Sequence, residues 1–402
     1  MQTATLRIVH VFPRFKTYSG AEHFCFQFAR EAVRRDQRVT VVTRHLPTGL
    51  AAHLPDDVEV RQLSWAHRPT RFHFLESLCD VLYSPFLFRL VPEDSDYDIY
   101  WNDNTLSSLF IDSLRRKKNR VFLCLQLPHF AYGQTGLVAR SYPPLSWLVP
   151  VLAPLYRWLD KLFAGRADLV VAISKMVRDD CVRVYRSDVA IASPGIDPPD
   201  LDLLDPGFIR RALPIRSQHI LVSTGKIIPK KNFDLFVQVV HRLRQRGVDV
   251  TGVIVGDGPL RERVARLIRS LELEPYCLMT GFVSEYADVL RYMSGATLYV
   301  YLERDVPFGL TPLEAGSLGV PVVAFEGGGV EETVVDGENG RKLPAAYGAE
   351  EIADLIAGLL GGPSEELARM GDRAKEMVKR WTWGKAYDRF LEHLGSLESR
   401  QP

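Results

Sequence analysis

A chain of 402 residues is too long for one ordinary hydrophobic core and suits two domains of common size. Apolar residues at 46% and charged residues at 25% are the mix of a folded globular protein, and a formal charge of +1 argues against a nucleic-acid binder, which carries a basic excess. The five cysteines (Cys25, Cys79, Cys124, Cys181, Cys277) stand far apart without a Cys-x-x-Cys pair, which fits free thiols in a reducing cytoplasm and offers no zinc site.

Met1 to Thr5 lacks a charged start before a long apolar run, so Leu6–Phe12 is expected as a buried first strand and not as a signal peptide. Ser19-Gly20 leads into a helix over Ala21–Arg35, where Phe24, Phe28 and Ala32 repeat on one face. Val39–Thr43, Ile99–Trp101, Val121–Leu125 and Leu169–Ile173 read as further strands. The aromatic-rich stretches His67–Arg89 and Tyr142–Phe163 read as helical insertions. Leu145–Leu159, the longest apolar stretch, is interrupted by Pro150 and Pro154 and is too short to span a bilayer.

Ser193-Pro194-Gly195-Ile196-Asp197-Pro198-Pro199 is turn chemistry and marks an interdomain linker. A second strand–helix series follows. Its strands are His219–Ser223, Val250–Val255, Leu278–Gly281, Thr297–Tyr301 and Val320–Phe325. Its helices are Phe233–Arg246, Leu260–Leu271 and Pro312–Leu318, and from about Glu350 to Leu397 the chain is helical. This alternation predicts two doubly wound α/β domains, 1–197 and 198–381, with the final helix (about 382–402) packing back on the first. A ligand is expected in the cleft between them, at the carboxyl ends of the strands.

The segment Val306-Pro307-Phe308-Gly309-Leu310-Thr311-Pro312-Leu313-Glu314-Ala315 carries the strongest chemistry. A glycine loop opens a helix at Thr311-Pro312, because proline suits the first turn, where its missing N–H has no partner to lose. Free N–H groups around Gly309, Leu310 and Thr311 would form a pyrophosphate site, and Glu314, one turn in, would accept ribose hydroxyls. Taken alone, a plain helix start with a surface glutamate explains the pattern equally well. Lys226 and Lys231 lie on a strand-to-helix loop, where two cations can neutralise a diphosphate leaving group.

This segment resembles the signature of the retaining GT-B glycosyltransferases of family 4 (group 1), in which two glutamates flank a Phe-Gly-Leu-x-Pro-Leu core. Four further segments are similar in the same order: Ala167–Ser174 with Pro194–Asp197, Gly225–Asn232, Val255–Leu260 and Gly327–Gly340. The resemblance implies two Rossmann-like domains, the first binding acceptor and the second the nucleotide-sugar. It implies a metal-independent transfer of a hexose, with retention, from a UDP- or GDP-sugar to a hydroxyl, as in glycolipid or polysaccharide synthesis. The departing phosphate would deprotonate the acceptor, and no further cofactor is implied.

On the matching positions the resemblance places Lys226, Lys231 and Glu314 in catalysis. Ser19, Gly20, Phe282, Val283, Phe308, Gly309, Leu310 and Thr311 join them around the donor. Two departures stand out. Val306 occupies the place of the family's first glutamate, with Glu303 and Asp305 the nearby carboxylates that can replace it; Asp305 is taken as the catalytic candidate. Where the family often has a sugar-contacting histidine, this chain has Gln126, with His129 three residues on; either can touch the donor sugar, and His129 is taken as a catalytic candidate. Val306 also keeps open a nucleotide-sugar-binding pseudoenzyme or partner subunit, and a GT-B epimerase is a further alternative. A cytoplasmic protein is expected, without nucleic-acid partners. Trp147, Tyr156 and Trp158 beside Arg157 and Lys161 fit either a buried insertion helix or peripheral contact with a membrane that holds a lipid-linked acceptor.

Overall fold

The computed structural model describes residues 5–12, 15, 20–63, 82–83, 85–93, 96–102, 120–125, 127, 132, 148–185, 188–197 and 205–398. The chain divides into two compact units, Met1–Pro194 with Trp383–Pro402, and Gly195–Thr382.

Among the described residues the first unit holds seven parallel strands: β1 (Arg7–Val11), β2 (Arg38–Thr43), β3 (Glu59–Gln62), β4 (Ile99–Asn102), β5 (Arg120–Cys124), β6 (Leu169–Ala172) and β7 (Val189–Ile191). Their order across the sheet is β3-β2-β1-β4-β5-β6-β7. β1, β4, β5 and β6 are buried along most of their length, as strands covered by helices on both faces must be. The helix Gly20–Val33 follows β1 and turns Phe24 and Phe28 inward. The final helix, Trp383–Glu398, meets that face. Trp383, Tyr387 and Phe390 are buried there against Phe24, Phe28 and Trp101, with ring centroids 4.6–6.3 Å apart.

The described residues of the second unit form six parallel strands: β8 (His219–Thr224), β9 (Val250–Val255), β10 (Cys277–Met279), β11 (Leu298–Tyr301), β12 (Val322–Phe325) and β13 (Gly340–Leu343). They are ordered β10-β9-β8-β11-β12-β13. Alternate residues of one strand feed opposite cores. Leu221, Leu298 and Val300 pack under the helices Phe233–Gln245 and Ala349–Gly361, while Ile220, Val222, Tyr299 and Tyr301 face the other layer with Met293 and Ala315. The turn after strand β9 has two glycine-dependent approaches. A Cβ on Gly256 would stand 2.1 Å from the carbonyl oxygen of Gly225, and one on Gly258 2.5 Å from that of Ile227.

Most expected elements are present within one or two residues. Strands β3, β7 and β13, the helices Lys175–Tyr185 and Tyr286–Ser294 and the short helices Thr48–Ala51, Phe208–Ala212 and Val330–Thr333 are not among the expected elements, and the expected strand Val320–Phe325 begins at Val322. The insertion expected over His67–Arg89 lies largely outside the described residues, with 82–83 and 85–90 helical; of that over Tyr142–Phe163, residues 142–147 lie outside the described residues and the rest belongs to a helix from Leu148 to Ala164. Among the described residues no helix is long and apolar enough to cross a membrane.

Candidate active site

The strand order of the second unit runs outward both ways from the neighbours β8 and β11. The chain leaves β8 toward β9 and leaves β11 toward β12. At such a switch point the two following loops part, and their carboxyl-end crevice is where open α/β sheets bind ligands. Both loops carry the segments that the sequence marks for chemistry.

The loop after β8 begins at Gly225, whose φ of +132° belongs to glycine, and passes through the short 3-10 turn Pro229–Lys231. A Cβ at Gly225 would come within 3.2 Å of Cε of Lys231, so the bare backbone lets the lysine lie across it. Asn232 then adopts a left-handed conformation (φ 53°) ahead of the helix Phe233–Gln245. Its side-chain amide donates to the carbonyl of Leu302 at 2.7 Å, fastening this loop to the one after β11.

Glu303 is where the two loops meet. One carboxylate oxygen lies 2.6 Å from Nζ of Lys231 and accepts the hydroxyl of Tyr301 at 2.9 Å; the other lies 3.1 Å from Nζ of Lys230. Glu303 is only 7% exposed. Burial alone would push its carboxyl up, but Lys231 and Lys230 outweigh it and hold the group below its ordinary value. The neighbouring hydroxyls are closed among themselves: Tyr299 and Thr224 are hydrogen bonded at 2.8 Å, and burial pushes the Tyr299 phenol up to about 12.

Past Glu303 the chain turns at Asp305 (φ 51°), buries Val306 and Phe308, and starts the helix Leu310–Ser317 behind Gly309 (φ 92°). Among the described residues no side chain caps this helix start, so its first N–H groups keep their capacity for an anion. The glycine run after β12 fits against this loop. The N–H of Gly329 donates to Val306 at 2.7 Å, and a Cβ there would fall 2.1 Å from Cα of Phe308. Glu314 accepts the hydroxyl of Tyr286 at 2.8 Å. Burial raises its carboxyl above the ordinary range, against the opposing Tyr286 hydrogen bond and the charge of Lys231.

The sequence candidates separate on this frame. Lys231, Gly309, Leu310, Thr311 and Glu314 gather at the β8–β11 edge. Lys226 is exposed and has no ion-pair partner among the described residues. The side chain of Phe308 is buried edge-on to Trp381, at 5.3 Å between centroids. Phe282 is 78% exposed and so is not a core residue, whereas Val283 packs partly under the core. Asp305 is exposed, and no described side chain pairs with it. Val306 is 2% exposed inside the apolar layer beside Ala315 and Val330. Gly20 starts the helix after β1, and a Cβ there would meet nothing within 4 Å. Ser19, Gln126 and His129 lie outside the described residues. Lys230 and Tyr286 were missed. The doubled Lys230-Lys231 was the available signal for the first; none pointed to the second.

Two family models match the chain: "Glycosyltransferase Family 4" over residues 18–199 and "Glycosyl transferases group 1" over residues 207–377. One relative is the GDP-mannose-dependent alpha-(1-6)-phosphatidylinositol monomannoside mannosyltransferase of Mycolicibacterium smegmatis. It is 27% identical over 264 residues, which are 62% of this chain and 68% of the relative. Another is the D-inositol 3-phosphate glycosyltransferase 2 of Catenulispora acidiphila, 30% identical over 262 residues, 58% of this chain and 59% of the relative. The matched part thus spans only about three-fifths to two-thirds of these relatives. Among solved structures, Anabaena HepE in complex with UDP and glucose superposes with a TM-score of 0.71 at 18% identity, over 97% of this chain and 100% of that one. The fold is GT-B.

Proposed function

The chain belongs to the group 1 glycosyltransferases of family 4, and on that premise we propose that it moves a hexose from a UDP- or GDP-sugar to a hydroxyl acceptor, with retention and without a metal ion. The observation that carries this reading is that the two loops leaving the β8–β11 switch point, joined by the Lys231–Glu303 ion pair, bring a lysine on one and the uncapped start of the helix Leu310–Ser317 on the other. A preorganised ammonium and a set of free N–H groups stabilise the charge that develops as a diphosphate leaves. Lys226, exposed one residue past Gly225, adds a second cation, and Glu314 receives the ribose hydroxyls. The leaving phosphate takes the acceptor proton, so the chain need supply no separate base. Among the relatives, one is named for GDP-mannose, and HepE holds UDP and glucose, which supports a nucleoside diphosphate as the shared donor part.

Leu155, Trp158 and Leu162 are exposed along one side of the helix Leu148–Ala164, with Arg157 and Lys161 also exposed. An apolar stripe with basic neighbours suits an anionic lipid surface and therefore a lipid-linked acceptor. A second reading rests on Val306: with a buried valine in the first-glutamate position, the chain binds nucleotide-sugars without transferring them. A thermal-shift screen of nucleotide sugars identifies the donor, because a tight ligand raises stability by mass action. Product analysis with that donor and candidate acceptors, with and without EDTA, then tests turnover. Product of inverted configuration, or activity lost to EDTA and restored by magnesium, rejects the proposed chemistry. Tight binding with no transfer to any acceptor or water selects the second reading.

A further inference from the structure

We propose that Glu303 is the internal counter-anion of the diphosphate site: it pairs with Lys230 and Lys231 and competes with the bound diphosphate for them. The inference rests on the donor site proposed above and adds a residue outside the family's two-glutamate pattern. Three donors converge on this one carboxylate, Lys231 at 2.6 Å, Lys230 at 3.1 Å and the Tyr301 hydroxyl at 2.9 Å. Two ammonium groups against one carboxylate leave an excess of one positive charge, and the side chain of Lys231 lies against Gly225, which has no side chain of its own to cover it.

The alternative carboxylate does not compete. Asp305 turns outward at φ 51° and stands exposed, while Glu303 is buried at the lysines. Nor does Glu303 suit the part of a sugar-contacting glutamate, because both of its oxygens are already engaged inside the unit. Its effect on a ligand is electrostatic. A fixed negative charge behind Lys231 weakens the lysine's pull on phosphate, and it does so more for product than for donor. Breaking the sugar–oxygen bond leaves a terminal phosphate that gains close to one further negative charge near neutral pH. Glu303 thus favours release of the nucleoside diphosphate.

The test is isothermal titration of UDP and of GDP into the full chain at fixed salt, for the parent, E303Q, E303M and E303D. Gln and Met are neutral side chains of similar length, so failure of one to fold leaves the other, and melting curves verify both. The neutral variants should bind the diphosphate about tenfold more tightly, the scale of removing one like charge several ångströms from an anion at a protein surface. E303D, which keeps the charge, should stay within about twofold of the parent on the same scale. Neutral variants that bind equally or more weakly, or an E303D that tightens like E303Q, overturn the counter-anion. A parent that binds neither UDP nor GDP removes the donor-site reading itself, and this inference with it.

Discussion

The ammonium of Lys231 stands 2.6 Å from a carboxylate oxygen of Glu303, and the pair ties the loop leaving β8 to the loop leaving β11. These loops diverge along opposite halves of the sheet, so the contact spans the switch point, where the two loops part. The Asn232 amide, 2.7 Å from the Leu302 carbonyl, makes the same connection through the backbone. Two links of different kinds therefore join the loop that carries Lys231 to the start of the loop that runs on to Gly309.

Lys231→Ala should lower turnover by roughly 10²–10³-fold, the scale for losing one preorganised charge stabiliser. The fold should persist, because Lys230 and Tyr301 still satisfy Glu303. Steady-state kinetics with the identified donor, alongside a melting curve, checks this. Turnover equal to the parent's would place the diphosphate elsewhere.

Glu314→Ala should weaken donor binding by about 1.5–3 kcal/mol, as expected for a lost charged hydrogen bond. Tyr286→Phe removes only the neutral hydroxyl that Glu314 accepts, and should cost about 0.5–1.5 kcal/mol. Both effects should appear in donor Kd with turnover at saturation little changed. Because burial raises the Glu314 carboxyl, donor affinity should fall as pH drops through that raised value, and Glu314→Gln should abolish this dependence.

Val306→Glu should not rescue a missing carboxylate. The position is 2% exposed within the apolar layer, so an introduced charge must be buried unpaired, at a cost of several kcal/mol. Val306→Ala, for which the sequence alone suggests little effect on function, should still cost roughly 1–3 kcal/mol of stability through the cavity it leaves. Urea unfolding of both variants measures this. A Val306→Glu protein as stable as the parent would show that the side chain reaches solvent.

His23 gives the first unit an acid-sensitive element. It stands 5.3 Å, ring to ring, from Trp383, and burial lowers its imidazole to about 4. The folded state thus prefers the neutral ring, while the unfolded chain takes up a proton near 6.5. Stability should therefore be intact above about pH 6.5 and be lost as pH falls toward 4, by roughly 2–3 kcal/mol at pH 4.5. His23→Leu should remove that component, so its unfolding free energy should change less than the parent's between pH 7 and 4.5. Equal losses in the two proteins would contradict the assignment.

Much of this protein is determined by local sequence. The alternation of apolar runs and amphipathic helices requires parallel sheets covered on both faces, because only helical crossovers join such strands. Gly225 with Lys231, and Gly309 before Leu310–Ser317, are legible because loop glycines and helix starts follow from backbone rules that act over a few residues. The short strands β3, β7 and β13 were not legible. Glu59–Gln62 and Gly340–Leu343 mix polar and apolar residues, and their conformation comes from hydrogen bonding to a neighbour. Sequence spacing also could not choose between Glu303 and Asp305. The left-handed turn at Asp305 points it outward, while Glu303, next after Leu302, is drawn inward by two lysines from another loop. In the same way Val306 is a departure in sequence, but only its place among Ala315 and Val330 makes it a core residue. Contacts between segments far apart in the chain depend on packing and charge pairing in three dimensions, and the tertiary structure alone decides them.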